Sequence, residues 1–220
     1  MRLLLIPAFL AVMTGSALAF AEPSQADNPA GAQASANSPE EAQKVPAGKF
    51  IQDMGNSAIA QMADKSVPQD QKMDRYRDIL RASFDMKTIG HYVIGRAWNT
   101  ASDDQKQEYM QLFEKLVLKT YGDKLNLYSG EEFRVKAVRP ESEKDSMVNS
   151  EITHADGSPP TKVDWRVHDE GGGKLAVIDV IVQGVSQSVT QHDEYSSIIQ
   201  RDGGKLDSLL SLMKKQVDEQ

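Results

Sequence analysis

The chain has 220 residues, 40% hydrophobic and 26% charged, with a formal net charge of −7 and no cysteine. That suffices for one globular domain with a remainder, and the acidic balance disfavours nucleic acid and anionic membrane surfaces as general partners. Without a thiol there is no disulfide framework, no thiolate nucleophile and no cysteine to carry an N-terminal lipid anchor.

Arg2 and the following LLLIPAFLAVMTGSALA form a charged start, an apolar core and a small-residue site at Ala17 and Ala19. This order predicts a cleavable signal peptide over residues 1–19. The apolar core is shorter than the ~20 residues that span a bilayer, so an exported, soluble protein is expected. Residues 20–48 are rich in Ala, Ser, Pro, Gln, Asn and Glu, with little that is large and apolar. Such a composition does not offset the entropy of ordering, and a disordered leader is predicted.

A domain is expected over 49–217. Ile51, Met54, Gly55, Ala58, Ile59 and Met62 recur at helical spacing and predict a first helix from Lys49 to near Ser66. Met73, Tyr76 and Leu80 predict a second over 70–83. In FDMKTIGHYVIGRAW, Asp85 stands where an N-cap belongs, and Met86, Ile89, Tyr92, Val93 and Ala97 share a face, with Trp98 closing the run. Gly90 inside this helix costs up to about 1 kcal/mol against Ala and points to a close neighbour. Ser102 and Gln105 form a capping box ahead of a long helix whose apolar stripe, including Tyr109, Leu112, Phe113 and Leu116, is wide enough for two packing partners.

After Gly130 the apolar period changes from that of a helix to that of a strand. Phe133, Val135 and Ala137 form one side of a first strand, and residues 147–152 form a second. Val163, Trp165 and Val167 alternate cleanly with Lys162, Asp164 and Arg166. Gly171-Gly172-Gly173 then leads to Leu175–Val182, apolar on both faces except at Asp179, which reads as a strand covered on both sides. A short turn of helix around Tyr195 and a last amphipathic helix through Leu206, Leu209, Leu210, Met213 and Val217 complete the chain. Helices, then strands, then helices predict an α+β fold.

Chemistry is sparse. His91, His154, His168 and His192 are scattered without metal-ligand spacing, and no metal site is expected. The glycine triplet precedes a strand, where a phosphate cradle would open a helix. Asp179 is the one acid embedded in an apolar strand. A general base in a cavity is one reading of it, and a structural ion pair or backbone hydrogen bond is the favoured one.

FDMKTIGHYVIGRAW, TASDDQKQEYMQLFEKLVLKTYGDKL, the YSG at Tyr128–Gly130 and VDWRVHDEGGGKLAVIDVIVQGVS together resemble the MlaC family, also called the toluene-tolerance auxiliary component. The resemblance runs from about Ile51 to Val217, and a hopanoid-associated branch looks similar. It implies an NTF2-like domain in which a four-stranded curved antiparallel or mixed sheet and helices enclose an apolar pocket, with a bound phospholipid as cargo and no cofactor. It further implies a monomeric, non-enzymatic periplasmic carrier. Its partners would be an outer-membrane lipoprotein–porin complex and an inner-membrane MCE–ABC transporter complex. Expected lining residues are Phe84, Met86, Ile89, Tyr92, Val93 and Trp98, then Phe113, Leu116, Tyr121 and Leu125, then Val135, Ile152, Val163, Trp165, Val167, Val180 and Val182. A small-molecule cavity enzyme of the same fold is the alternative, with Asp179 and a tyrosine as its only acid–base candidates. Exposing two acyl chains to water costs on the order of 20 kcal/mol at about 0.8 kcal/mol per CH₂, so a lipid crosses water only when enclosed.

Overall fold

The alternating stretch in the second half of the chain forms a single antiparallel sheet in which each strand pairs with the next in sequence. The computed structural model describes residues 35–63, 66–122 and 130–219. The strands are β1 (Glu132–Pro140), β2 (Asp145–Thr153), β3 (Thr161–Gly171), β4 (Lys174–Val182) and β5 (Val185–Ser186), in that spatial order. Ahead of them come α1 (Pro39–Ala42), α2 (Pro46–Ala63), α3 (Gln69–Ser83), α4 (Met86–Ile94), α5 (Ala97–Thr100) and α6 (Asp103–Gly122). After them come α7 (Gln187–Arg201) and α8 (Asp207–Asp218). The signal peptide expected at 1–19, the leader up to residue 34 and Leu125 lie outside the described residues.

The α+β class is as expected, but the sheet has five strands where four were predicted, and all pairings are antiparallel. The fifth strand is only two residues long. It follows a two-residue turn, Gln183-Gly184, in which both residues have positive φ (50° and 81°), the backbone of a tight hairpin whose twist matches its strands. Ser186 then caps α7 by accepting a hydrogen bond from the Val189 N–H. That cap starts a helix of 15 residues where only a short turn was expected.

Two bulges decide which side chains share a face. In β1 the register shifts between Val135 and Ala137, so Lys136 is the extra residue and Val138, not Ala137, joins Val135 on the inner face. Val135 and Val138 are fully buried, and Lys136 turns out to meet Glu151 at 3.1 Å. In β4, Arg166 pairs with Asp179 while Val167 pairs with Val177, leaving Ile178 as the extra residue. One sheet face therefore carries Val135, Val138, Val148, Val163, Trp165, Val167, Val177, Val180 and Val182. The opposite face is polar, with Asn149 donating to Asp164, Arg166 donating to Glu141, and His168 bonded to Asp145.

The apolar face packs on α1, α2 and the end of α3. Gly55 of α2 sits on the Phe133 ring, where a Cβ would approach ring carbons to 2.3 Å, so only glycine lets the helix lie this close. A second apolar cluster joins α4, α5, α6, α7 and α8 around Val93, Tyr109, Phe113, Leu209 and Met213. Gly90 faces Met110 and Tyr109 there, and its carbonyl accepts a 3.1 Å hydrogen bond from the Tyr109 hydroxyl. The caps read from the sequence are present: Asp85 accepts from the Thr88 N–H, and Ser102 and Gln105 bond reciprocally at 3.2 and 3.0 Å.

The leader is corrected over its last residues. Instead of remaining disordered to residue 48, the chain pairs Ala36 with Val138 through two 2.8 Å backbone hydrogen bonds. Ser38 caps α1, Ala42 is fully buried, and α2 begins at Pro46. The apolar groups involved are small, so they leave no periodic signal, but they meet the outer edge of β1. The same edge is served by Gln52, whose amide donates to the Phe133 carbonyl (3.2 Å) and accepts from the Val135 N–H (2.9 Å).

Candidate functional site

Most of the inner sheet face is sealed, but not all of it. Trp165, Phe133, Phe84, Ile152 and Val180 are each only partly buried, whereas Val163, Val167 and Val182 on the same face are buried. Phe84 and Phe133 meet the Trp165 ring edge-on, with centroids 6.5 and 6.2 Å away. Phe84 reaches this position because α3 ends there in extended backbone, which pairs in parallel with Val177 while the Asp85 N–H donates to the Val177 carbonyl. The Trp165 indole N–H donates to the Ser150 hydroxyl at 2.9 Å, and that hydroxyl donates to the Val163 carbonyl at 2.6 Å. The Trp165 ring is thus held by a polar anchor, and all three residues remain only partly buried.

Beside this face, α2 and α3 flank an open groove of about 560 Å³. Met54, Ser57 and Gln61 line it from α2, and Arg75, Asp78, Ile79, Ala82 and Ser83 from α3. Met54 and Ile79 also belong to the sheet-side apolar cluster, so the floor of the groove continues into that cluster.

The expected lining set is divided between two places. Phe84, Val135, Val163, Trp165, Val167, Val180, Val182 and Ile152 gather on or beside the sheet face. Val93 and Phe113 are buried in the helical cluster, with Met86, Ile89, Trp98 and Leu116 packed against it. Tyr92 is 49% exposed and packs on His192 with ring centroids 5.4 Å apart. The Tyr121 side chain and Leu125 lie outside the described residues. Sequence reasoning did not single out Phe133, Met54 or Ile79 as lining, although their apolar character and period were visible. It had no signal for Ser150, which looks like any polar strand residue.

Asp179 is 4% exposed and its oxygens are engaged: Oδ1 accepts from the Val180 and Ser188 N–H groups, and Oδ2 accepts from the Ser186 hydroxyl. Arg166 stands 3.7 Å from Oδ2. The carboxylate ties β4 to the start of α7, which is the structural reading preferred from sequence. Burial raises the pKa of the Tyr109 and Tyr195 hydroxyls well above the ordinary tyrosine value, so both stay protonated. Among the described residues no group of three or more His, Asp or Glu side chains is placed to hold a metal ion, and no helix is long and apolar enough to cross a membrane.

These features define an α+β protein whose antiparallel meander is covered by helices on its apolar face and left partly open around three aromatic rings. The model of the MlaC protein family matches residues 52–215, and the chain belongs to that family. Among solved structures, the fold is similar to a phospholipid-binding protein from Ralstonia solanacearum determined in complex with a phospholipid. The TM-score is 0.66 at 19% identity, covering 77% of this chain and 95% of that chain.

Proposed function

We propose that this protein is a periplasmic lipid shuttle. It binds the acyl chains of a phospholipid or a related hopanoid-type lipid against the partly open sheet face. The observation that carries the reading is the Phe84–Trp165–Phe133 cluster, three rings in mutual contact yet incompletely covered, in a chain of the MlaC family. The three rings are only partly buried, so an apolar ligand seated there covers their remaining exposed surface and is favoured by that burial. The phospholipid bound to the Ralstonia solanacearum protein of similar fold supports the same ligand class. In this reading the chain is exported by its N-terminal signal, works as a monomer, and passes lipid between outer-membrane and inner-membrane complexes of an ABC-linked system. The NTF2-like label fits the helix-covered meander.

The alternative, a cavity enzyme, needs a free acid–base pair facing the ligand. Asp179, the acid in that pair, has both oxygens engaged by the Val180 and Ser188 N–H groups and the Ser186 hydroxyl. Organic extraction of protein purified from periplasm, followed by mass spectrometry, tests the proposal. About one diacyl lipid per chain is expected, and protein that carries no lipid and takes none up from vesicles refutes it.

A further inference from the structure

We infer that the groove between α2 and α3 is a headgroup site that favours a phospholipid carrying both a phosphate and a primary ammonium, with Arg75 facing the phosphate and Asp78 and Gln61 receiving the ammonium. The inference rests on the lipid-carrier reading and adds to it a preference among headgroups.

Five of the charged residues on α3, from Asp74 to Arg81, fall into two groups. Asp74 and Arg77 pair with each other at 2.6 Å, and Arg81 pairs with Glu114 of α6 at 2.7 Å. Arg75 and Asp78 make no ion pair among the described residues, and both line the groove. They fall on one stripe with Ile79 and Ala82, at the three- and four-residue steps that bring helix side chains to one face. Their neighbours Asp74 and Arg77 use the same three-residue step to pair; Arg75 and Asp78 do not. The groove therefore presents a separate positive and negative point, about 5–6 Å apart at the Cβ atoms, to a ligand whose own opposite charges are joined by a short link.

Gln61 sharpens the chemistry. Its Nε2 donates to the Ser57 hydroxyl at 3.0 Å, while its Oε1 is buried without a hydrogen-bond partner. An orphan acceptor needs a donor, and leaving it unpaired costs about 1–3 kcal/mol. The donors of a diacyl phosphatidylethanolamine are its ammonium N–H groups. A choline headgroup has the same charge but no N–H, and a glycerol headgroup offers hydroxyls but no positive charge for Asp78. The apolar path is also present, since Met54 and Ile79 connect the groove to the cluster containing Phe84 and Trp165.

The test uses the full mature chain, stripped of lipid and reloaded from vesicles holding equal amounts of phosphatidylethanolamine, phosphatidylcholine and phosphatidylglycerol, with bound lipid quantified by mass spectrometry. Wild type should take up the ethanolamine lipid about ten- to hundredfold over the choline lipid, the worth of one hydrogen bond to a charged group. Asp78→Asn and Gln61→Leu should each bring that ratio towards one, and Arg75→Gln should lower loading of all three lipids. Arg75 and Asp78 are exposed, so those variants should retain the wild-type melting midpoint. Equal loading of the three lipids by wild type, or an unchanged ratio in Asp78→Asn, overturns the headgroup site alone. A wild-type chain that loads none of them overturns this inference and the carrier reading together.

Discussion

Ser150 and Trp165 are joined by a 2.9 Å hydrogen bond that crosses the inner face of the sheet, from the indole N–H on β3 to a hydroxyl on β2 that is itself bonded to the Val163 carbonyl. Ser150 is 2% exposed, so water does not replace this bond if it is lost. The indole is thereby fixed in the one orientation that sets its edges against Phe84 and Phe133.

The first prediction follows from that bond. Ser150→Ala should lower stability by about 1–3 kcal/mol, the usual cost of a buried donor left unpaired. Trp165→Phe removes the donor, so Ser150→Ala should cost less in the double variant, where only the bond to the Val163 carbonyl is still lost. Chemical denaturation of the four proteins measures the coupling, and additive losses would show that the bond does not hold the ring.

A second prediction separates ligand surface from core along one sheet face. Val180 is partly buried and pairs with Trp165, whereas Val148 is fully buried beneath α2. Val148→Glu should unfold the domain or lower its melting midpoint severely, because an unpaired carboxylate is forced into packed core. Val180→Glu should remain folded and lose lipid, since its carboxylate can keep water. If both variants melt alike, the partly open face is core and not a binding surface.

The N-terminal segment gives a third. Deleting residues 20–34 should leave the melting midpoint unchanged. Deleting 20–47 removes the Ala36–Val138 pairing and the buried Ala42 and Ala47 as well. Two backbone hydrogen bonds at about 1 kcal/mol each, with burial of the small apolar groups, put the loss at about 2–4 kcal/mol. For a domain of this size that is roughly 5–15 °C in midpoint. Calorimetry of the two truncations decides it, and equal midpoints would show that the segment contributes nothing.

A fourth concerns acid. Burial opposes ionisation of Asp145, but hydrogen bonds from His168 and Ser142 outweigh it and hold the carboxyl below its ordinary range. A carboxylate with a lowered folded-state pKa adds stability that is fully present above the unfolded value near 3.9 and is lost as pH falls through the folded value. Asp145→Asn should therefore be less stable than wild type at pH 6, with the difference shrinking below about pH 4. Denaturant titrations across pH 3–6 would expose a difference that fails to shrink.

How legible the fold was depended on how local its causes are. The capping box at Ser102 and Gln105, the Asp85 cap and the alternation of Val163, Trp165 and Val167 each lie within a few residues, and each is present as read. The bulges at Lys136 and Ile178 are not local. They arise from pairing with β2 and β3, so the sequence alternation put Ala137 where Val138 is found. The docking of residues 35–48 was hidden for the same reason, because alanines such as Ala36 and Ala42 become buried only when another element supplies the covering surface. For the candidate site, the aromatic residues were visible as a group, but their division between the sheet face and the helical cluster depends on packing across the whole domain. Asp179 was legible as a buried structural acid, and its partners on α7 were not.

The paired edge of β1 bears on what happens between one cargo and the next. A carrier that gives up its lipid uncovers apolar surface in water again and again, and unprotected strand edges would let such molecules zip together into fibres. Gln52 occupies the backbone groups at Phe133 and Val135, and Ala36 occupies those at Val138. Gln52 and Ala36 thus block polymerisation along this edge, which under the proposed function would let an emptied protein stay in solution long enough to be refilled.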